Sequence, residues 1–245
     1  MALQDEDIYG DWPSPADEIQ NRGHPQTIAC MQKLFKSHNW RKRVLAVYVM
    51  GQLSHYKNRD DIGTHSRYGV KASEQMLVEA LNDQHPDVIA IALSGLRHTP
   101  VPEALPVMLT FVNHPDKWCR RELAFALCGY ENDGPHMTAV LLQLAADEYE
   151  ITRDWATTAL QWSHVDTPEV RERLWLNAHD TDPYVVNEAL QGLARRKDPR
   201  TVEWVLHYIQ NGGYCSDSDL LEVANLYDDP DLWEVVGEYL NQSTA

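Results

Sequence analysis

Apolar residues recur along this chain three and four positions apart. Leu123, Ala126, Leu127 and Tyr130 make one such stripe; Val140, Leu141, Leu144 and Ala145 make another. That spacing places side chains on one face of an α-helix. Runs of β-branched and aromatic residues alternating with period two are absent, so no sheet is expected. The pattern predicts helices over 25–36, 40–54, 73–83, 87–97, 102–113, 117–130, 135–146, 150–163, 167–178, 183–195, 199–210, 217–226 and 230–241. Several starts carry a capping oxygen before a proline at the first helical position: Thr167-Pro168, Asp182-Pro183, Asp198-Pro199 and Asp229-Pro230. Residues 55–72 break the pattern as a polar insertion bearing Lys57, Arg59, Arg67 and Lys71, and 211–216 form a glycine-rich turn.

The stripes repeat. The stretch from Asn113 to Leu127 meets similar residues 33 positions on, at Thr152–Leu160, and 33 further on, at Asp182–Leu193. An earlier copy runs from Gln84 to Leu96, and a still earlier one from Asn39 to Ala46. A period of this length marks stacked supersecondary units, none of which buries its apolar face alone. Register then predicts that Leu127, Leu160 and Leu193 are core, and that Cys119 occupies a core position held elsewhere by valine.

The units resemble the HEAT-repeat family, in particular short bacterial units also seen in phycobilisome-lyase-like proteins. The matching residues are Asp116, Cys119-Arg120, Leu123 and Ala126-Leu127; Thr152-Arg153, Ala156 and Ala159-Leu160; and Asp182, Val185 and Leu193. The resemblance covers about residues 25–210. It implies an all-α fold, a right-handed α-solenoid of about six HEAT-like helix pairs whose second helices line a concave face. Residues 217–241 read as a polar terminal cap. The expected organisation is an acidic segment 1–24 followed by a repeat domain 25–245.

Charge narrows the function. The chain has 245 residues, 21 Lys and Arg against 37 Asp and Glu, and a net charge of −16. Six of the acids lie in residues 1–20 and nine in 201–245, and neither stretch has a Lys or Arg. Such ends repel a nucleic-acid duplex, whose binding needs Lys and Arg to displace counterions, and attract a basic protein. The longest apolar run, Val44–Met50, is too short to span a bilayer. The N-terminal acids have the wrong sign for a targeting peptide, and four scattered cysteines fit a reducing compartment. A cytoplasmic protein is expected.

Catalytic signatures are missing. His85 and His114 sit in His-Pro-Asp turns, and His179 precedes Asp180. They read as turn residues, since side chains on successive repeats do not converge on one ion. No His-Glu pair of the kind used by the HEAT-type iron enzyme deoxyhypusine hydroxylase occurs. Asp154-Trp155 invites comparison with HEAT-like alkylpurine DNA glycosylases, but those need a basic groove. No tetrapyrrole site of a bilin lyase is legible. No metal and no cofactor are expected.

Aligning the units places Trp40, Trp118, Ile151 and Tyr184 in one column, Arg43, Arg121, Asp154 and Asn187 in the next, and Val47, Phe125, Thr158 and Gln191 in a third. Aromatic and Arg residues in such a row have the composition of a protein-binding hot spot. The expected contact set is Trp40, Arg43, Trp118, Arg121, Glu122, Phe125, Asp154, Trp155, Tyr184, Glu188 and Gln191. The competing expectation is that these aromatics pack against the neighbouring repeat. The function expected is a non-enzymatic scaffold gripping a basic protein in its groove, of the kind a bacterial immunity protein or antitoxin uses to mask a toxin. The alternative is a HEAT-like enzyme of the glycosylase or lyase type.

Overall fold

The computed structural model describes residues 15–21, 23–56, 65–131, 134–211 and 216–243. Contacts divide the chain into two units, Met1–Met108 and Leu109–Ala245. The first contains α1 (Pro15–Gln20), α2 (Pro25–Phe35), α3 (Trp40–Gly51), strands β1 (Ser54–Tyr56) and β2 (His65–Arg67), α4 (Val70–Ala80), α5 (Pro86–His98) and α6 (Leu105–Met108). The second contains α7 (Lys117–Leu127), α8 (Pro135–Leu144), α9 (Glu150–Trp162), α10 (Pro168–Asn177), α11 (Pro183–Arg195), α12 (Arg200–Asn211), α13 (Asp217–Tyr227) and α14 (Pro230–Ser243). In the first unit α3 packs against α2, α4 and α5. In the second, α7, α9, α11 and α13 stack one on the next, with α8, α10 and α12 each against a neighbour in that row.

The helix starts follow the capping logic of the sequence. Asp182 accepts from the backbone N–H of Tyr184 at 2.9 Å and Val185 at 3.3 Å; Asp116 accepts from Trp118 at 2.9 Å and Cys119 at 3.1 Å. Leu127, Leu160, Leu193 and Cys119 are fully buried, as the 33-residue register requires. Helices α3 and α5 meet through glycine. A Cβ on Gly95 would lie 2.5 Å from Leu77 Cδ2 and 3.2 Å from the Cα of Gly51, so no larger residue fits without the helices moving apart.

Three expectations need correction. A sheet does form: β1 and β2 pair antiparallel, Ser54 opposite Arg67, within the segment read as a polar insertion. Three-residue strands are too short to show an alternating pattern. Arg67 is not a free surface charge; it donates to the His98 carbonyl, the Thr99 hydroxyl and, at 3.4 Å, the Gly51 carbonyl, pinning the hairpin to the ends of α3 and α5. Lys57 and Arg59 lie outside the described residues. Second, the stretch 102–113 is broken into the 3₁₀ turn Pro102–Ala104, the single α-turn of α6 and the 3₁₀ turn Leu109–Asn113. Pro102 and Pro106 each lack an N–H there. Third, Trp40 is the first residue of α3, whereas Trp118, Ile151 and Tyr184 are the second residues of theirs. The first unit was therefore set one position out of register.

The corrected register exposes a repeated clasp. Arg43, Arg120 and Arg153 are each the fourth residue of a second helix. Each grips an aspartate in the turn that opens the next second helix: Asp83 at 2.6 and 2.8 Å, Asp147 at 2.6 and 3.1 Å, Asp180 at 2.7 and 2.8 Å. Each also donates, at 2.9 Å, to a carbonyl six residues back: Ser37, His114 or Asp147. The aspartates accept in addition from the backbone N–H two residues on, at His85, Tyr149 and Asp182, all at 2.9 Å. The sequence separation is 27 in the second unit and 40 in the first, where the hairpin is inserted without disturbing the clasp. Burial pushes the Asp83 and Asp180 carboxyls up, but their arginines and backbone donors hold both below the usual carboxylate range.

Two measurements follow. Leu160→Ala is expected to cost about 2–5 kcal/mol in urea unfolding, by lost burial plus the cavity left behind. Arg153→Met leaves Asp180 largely buried without its cation, and is expected to cost about 3 kcal/mol in the same assay. A loss near zero for Arg153→Met means that the clasp is incidental to stability.

Candidate functional site

The second helices of the second unit carry most of the residues expected to meet a partner, and the structure divides them sharply. Glu122 is 3% exposed and paired with Arg121, and Gln191 is 5% exposed and bonded to Gln161. Both face the interior, because each helix is flanked by the previous and the next repeat. Arg43 is the clasp residue described above, committed to Asp83. These three are corrected from contact residues to structural ones. Trp40, in the first unit, stacks on His85 at 4.0 Å. Trp118 is half-buried, with its edge against Tyr149 at 5.7 Å and the Arg121 guanidinium 5.5 Å from its ring centre. For these two tryptophans the neighbouring repeat accounts for the burial.

Four residues do come together on one face. Phe125 on α7 meets Trp155 on α9 edge to face at 4.7 Å. On the same side of α9 stands Asp154, and on α11, Glu188. Both carboxylates are half-buried, and among the described residues neither has a cation within ion-pair distance. Burial, then the charge of Asp182, raises Asp154 to about 6. Burial raises Glu188 to about 7, aided by Asp154 and Glu222, while the Thr158 hydroxyl and Arg195 pull it partway back. Tyr184, at the start of α11, is 72% exposed.

Two residues on these helices lie outside the expected contact set, although Trp162 reads from the sequence as a packing or contact residue on the same helix face as Trp155. Trp162 at the end of α9 is 64% exposed, and the Arg195 guanidinium lies 4.4 Å from its ring centre. Trp162 also lines a cleft of about 670 Å³ with Leu127, Tyr130, Glu131, Met137 and Val165. The available signal was the seven-residue offset: Trp162 follows Trp155, and Arg195 follows Glu188, by two helical turns on one face.

Three turn histidines accept backbone N–H groups, whereas His179 Nδ1 faces the Trp175 carbonyl at 2.9 Å. Nδ1 of His24, His85 and His114 takes the N–H two residues on, at 3.1, 3.3 and 3.1 Å. His114, Asp116 and Cys119 bring ligand-type atoms within 4.8 Å of one another. Yet Nδ1 of His114 is accepting, which leaves the proton on Nε2, and Asp116 caps α7. These atoms already hold the turn and the start of α7, which accounts for their proximity.

Comparison with known proteins comes down on the fold. Residues 74–161 match the family described as HEAT repeats. The crystal structure of YibA from Escherichia coli is similar at 22% identity, covering 92% of this chain and 79% of that one, with a TM-score of 0.70. An engineered protein is similar at 18% identity, over 82% and 95% of the two chains, with a TM-score of 0.58. An archaeal HEAT-like repeats protein from Thermococcus onnurineus matches at 13% identity, over 92% and 99%, with a TM-score of 0.53. No curated protein matches in sequence. Among the described residues, no helix is long and apolar enough to cross a membrane.

The raised carboxyls set a pH dependence whose sign is fixed. A carboxyl that titrates higher in the folded chain than in the unfolded one holds its proton only in the fold across the interval between. The contribution of Asp154 and Glu188 to stability is then greatest below the ordinary carboxylate range and is lost as pH rises through about 7. Glu188→Gln is expected to flatten thermal stability between pH 5 and pH 8. After discounting for solvent screening, it should stabilise the chain at the upper end by about 1 kcal/mol. An unchanged profile would show that Glu188 is solvated and ordinary.

Proposed function

We propose that this HEAT-repeat chain is a non-enzymatic binding protein, and that the α7–α9–α11 face of its second unit takes up a basic protein partner. The observation that carries this reading is the contrast between two sets of carboxylates. Turn aspartates 83, 147 and 180 are each held bidentately by an arginine. Asp154 and Glu188, half-buried on the second-helix face, have no such cation and repel one another. A lysine or arginine delivered by a partner relieves that repulsion, so the free chain carries a cost that binding removes. Beside the pair stand Phe125 and Trp155, aromatic surface of the type that anchors interfaces and holds cations against its rings. The net charge of −16 steers a basic partner from a distance.

The same features speak against catalysis. Cys119 is fully buried, the turn histidines serve as backbone acceptors, and the acidic face is unsuited to a nucleic-acid backbone. Masking of a basic toxin is one form such binding takes, since an acidic face covering a cationic one shuts off contact with its target.

The test is a pull-down run in parallel with the wild-type chain and the Asp154→Asn/Glu188→Gln double variant, followed by kinetics on any protein the first retains and the second loses. The double variant is expected to weaken affinity at least about tenfold. The wild-type on-rate should fall as salt rises past the range where screening sets in, at about 0.1 M. Binding should also weaken as pH drops from 8 to 5 and the pair takes up protons. A partner that ignores the double substitution, salt and pH overturns the reading, as does recovery of nucleic acid alone.

A further inference from the structure

The Trp162–Arg195 pair differs from most arginine sites of the second unit. Arg120, Arg153, Arg171 and Arg200 each lie within ion-pair distance of an aspartate, and Arg196 donates to the carbonyls of Leu160, Ser163, Val165 and Gly192. Arg195 has none of this. Its guanidinium lies over an indole that is itself 64% exposed, its Nε is buried without an acceptor and so out of a partner's reach, and among the described residues no carboxylate lies within ion-pair distance, Glu188 acting on it only from further away. A guanidinium held against a ring face can still offer its terminal N–H groups to a carboxylate. The same indole borders the cleft of about 670 Å³, whose walls include Leu127, Glu131, Met137, Ala159 and Val165.

We propose that Arg195, held on Trp162, is a docking point for a carboxylate of the partner, and that an apolar side chain next to that carboxylate enters the adjoining cleft. The inference rests on the binding role proposed above and sharpens it. The partner surface is bipolar, with a cation for Asp154 and Glu188 and, two helical turns along α11, an acid for Arg195. Charge complementarity names the occupant. A single guanidinium in a strongly acidic chain attracts a monoanion, whereas a polyanion such as nucleic acid is turned away by the carboxylates two turns back. The requirement for two opposite charges at fixed spacing would exclude partners that are merely basic.

The experiment is an NMR titration of the full-length ¹⁵N-labelled chain, reading the Trp162 indole N–H, assigned through Trp162→Phe. The probe is the dipeptide acetyl-Glu-Phe-amide, with acetyl-Gln-Phe-amide as its neutral control. The glutamate peptide is expected to shift the Trp162 signal saturably and to bind at least about fivefold more tightly than the glutamine peptide. Arg195→Gln, checked for an intact fold by circular dichroism, should erase that preference. Equal binding of the two peptides, no saturable shift, or an Arg195→Gln variant that still discriminates would overturn the proposal. A third peptide, acetyl-Arg-Phe-amide, read at the Thr158 and Asn187 amides, probes the acidic pair separately. If it fails while the glutamate peptide succeeds, the basic-partner reading falls and the carboxylate site stands; the converse outcome removes only the carboxylate site.

Discussion

One ion pair, repeated, sets the geometry on which the rest depends. An arginine at the fourth position of a second helix holds an aspartate in the turn that begins the next. That aspartate also accepts the N–H entering the new helix. A single side chain thus ties the first turn of one second helix to the start of the next. Because the clasp is largely buried, removing one partner is costly, and the bidentate fork leaves little rotational freedom. The hairpin in the first unit shows how local the device is. Thirteen additional residues separate Arg43 from Asp83 relative to the other two pairs, and the bond lengths hardly change.

The clasp also sorts the charges. Aspartates at the turn edge are neutralised by arginines, and Asp83 and Asp180 sit below the usual carboxylate range. The helix faces receive carboxylates with no such partner, and burial there pushes Asp154 to about 6 and Glu188 to about 7. Two acids kept partly protonated near neutral pH are poor contributors to folding. In the proposed reading their complement is a cation supplied by a partner.

Much of the fold was legible because its signals are local and recur. Asp-Pro and Thr-Pro starts, the buried leucines at 127, 160 and 193, and the core position of Cys119 all follow from helical periodicity. The register of the first copy was not, because the inserted hairpin interrupts the period just where Trp40 invites alignment with Trp118. The cap would have corrected it: Asn39 and Asp116 both accept from the N–H two residues on, so Arg43 belongs with Arg120 and Arg153. The candidate face was only half legible. Glu122 and Gln191 share helix faces with true surface residues, and only the packing of the next repeat shows that they are covered. Trp162 was visible as Trp155 plus seven, but its exposure depends on where α9 ends.

The most direct test of the account is a carbon-detected NMR titration of the side-chain carboxyls of Asp154 and Glu188 in the folded chain. The account predicts midpoints near 6 and 7, with the Glu188 midpoint falling toward the ordinary range in the Asp154→Asn variant. Ordinary midpoints near 4 for both groups, unmoved by the substitution, would contradict it, because the face would then hold two solvated acids with nothing for a partner to relieve.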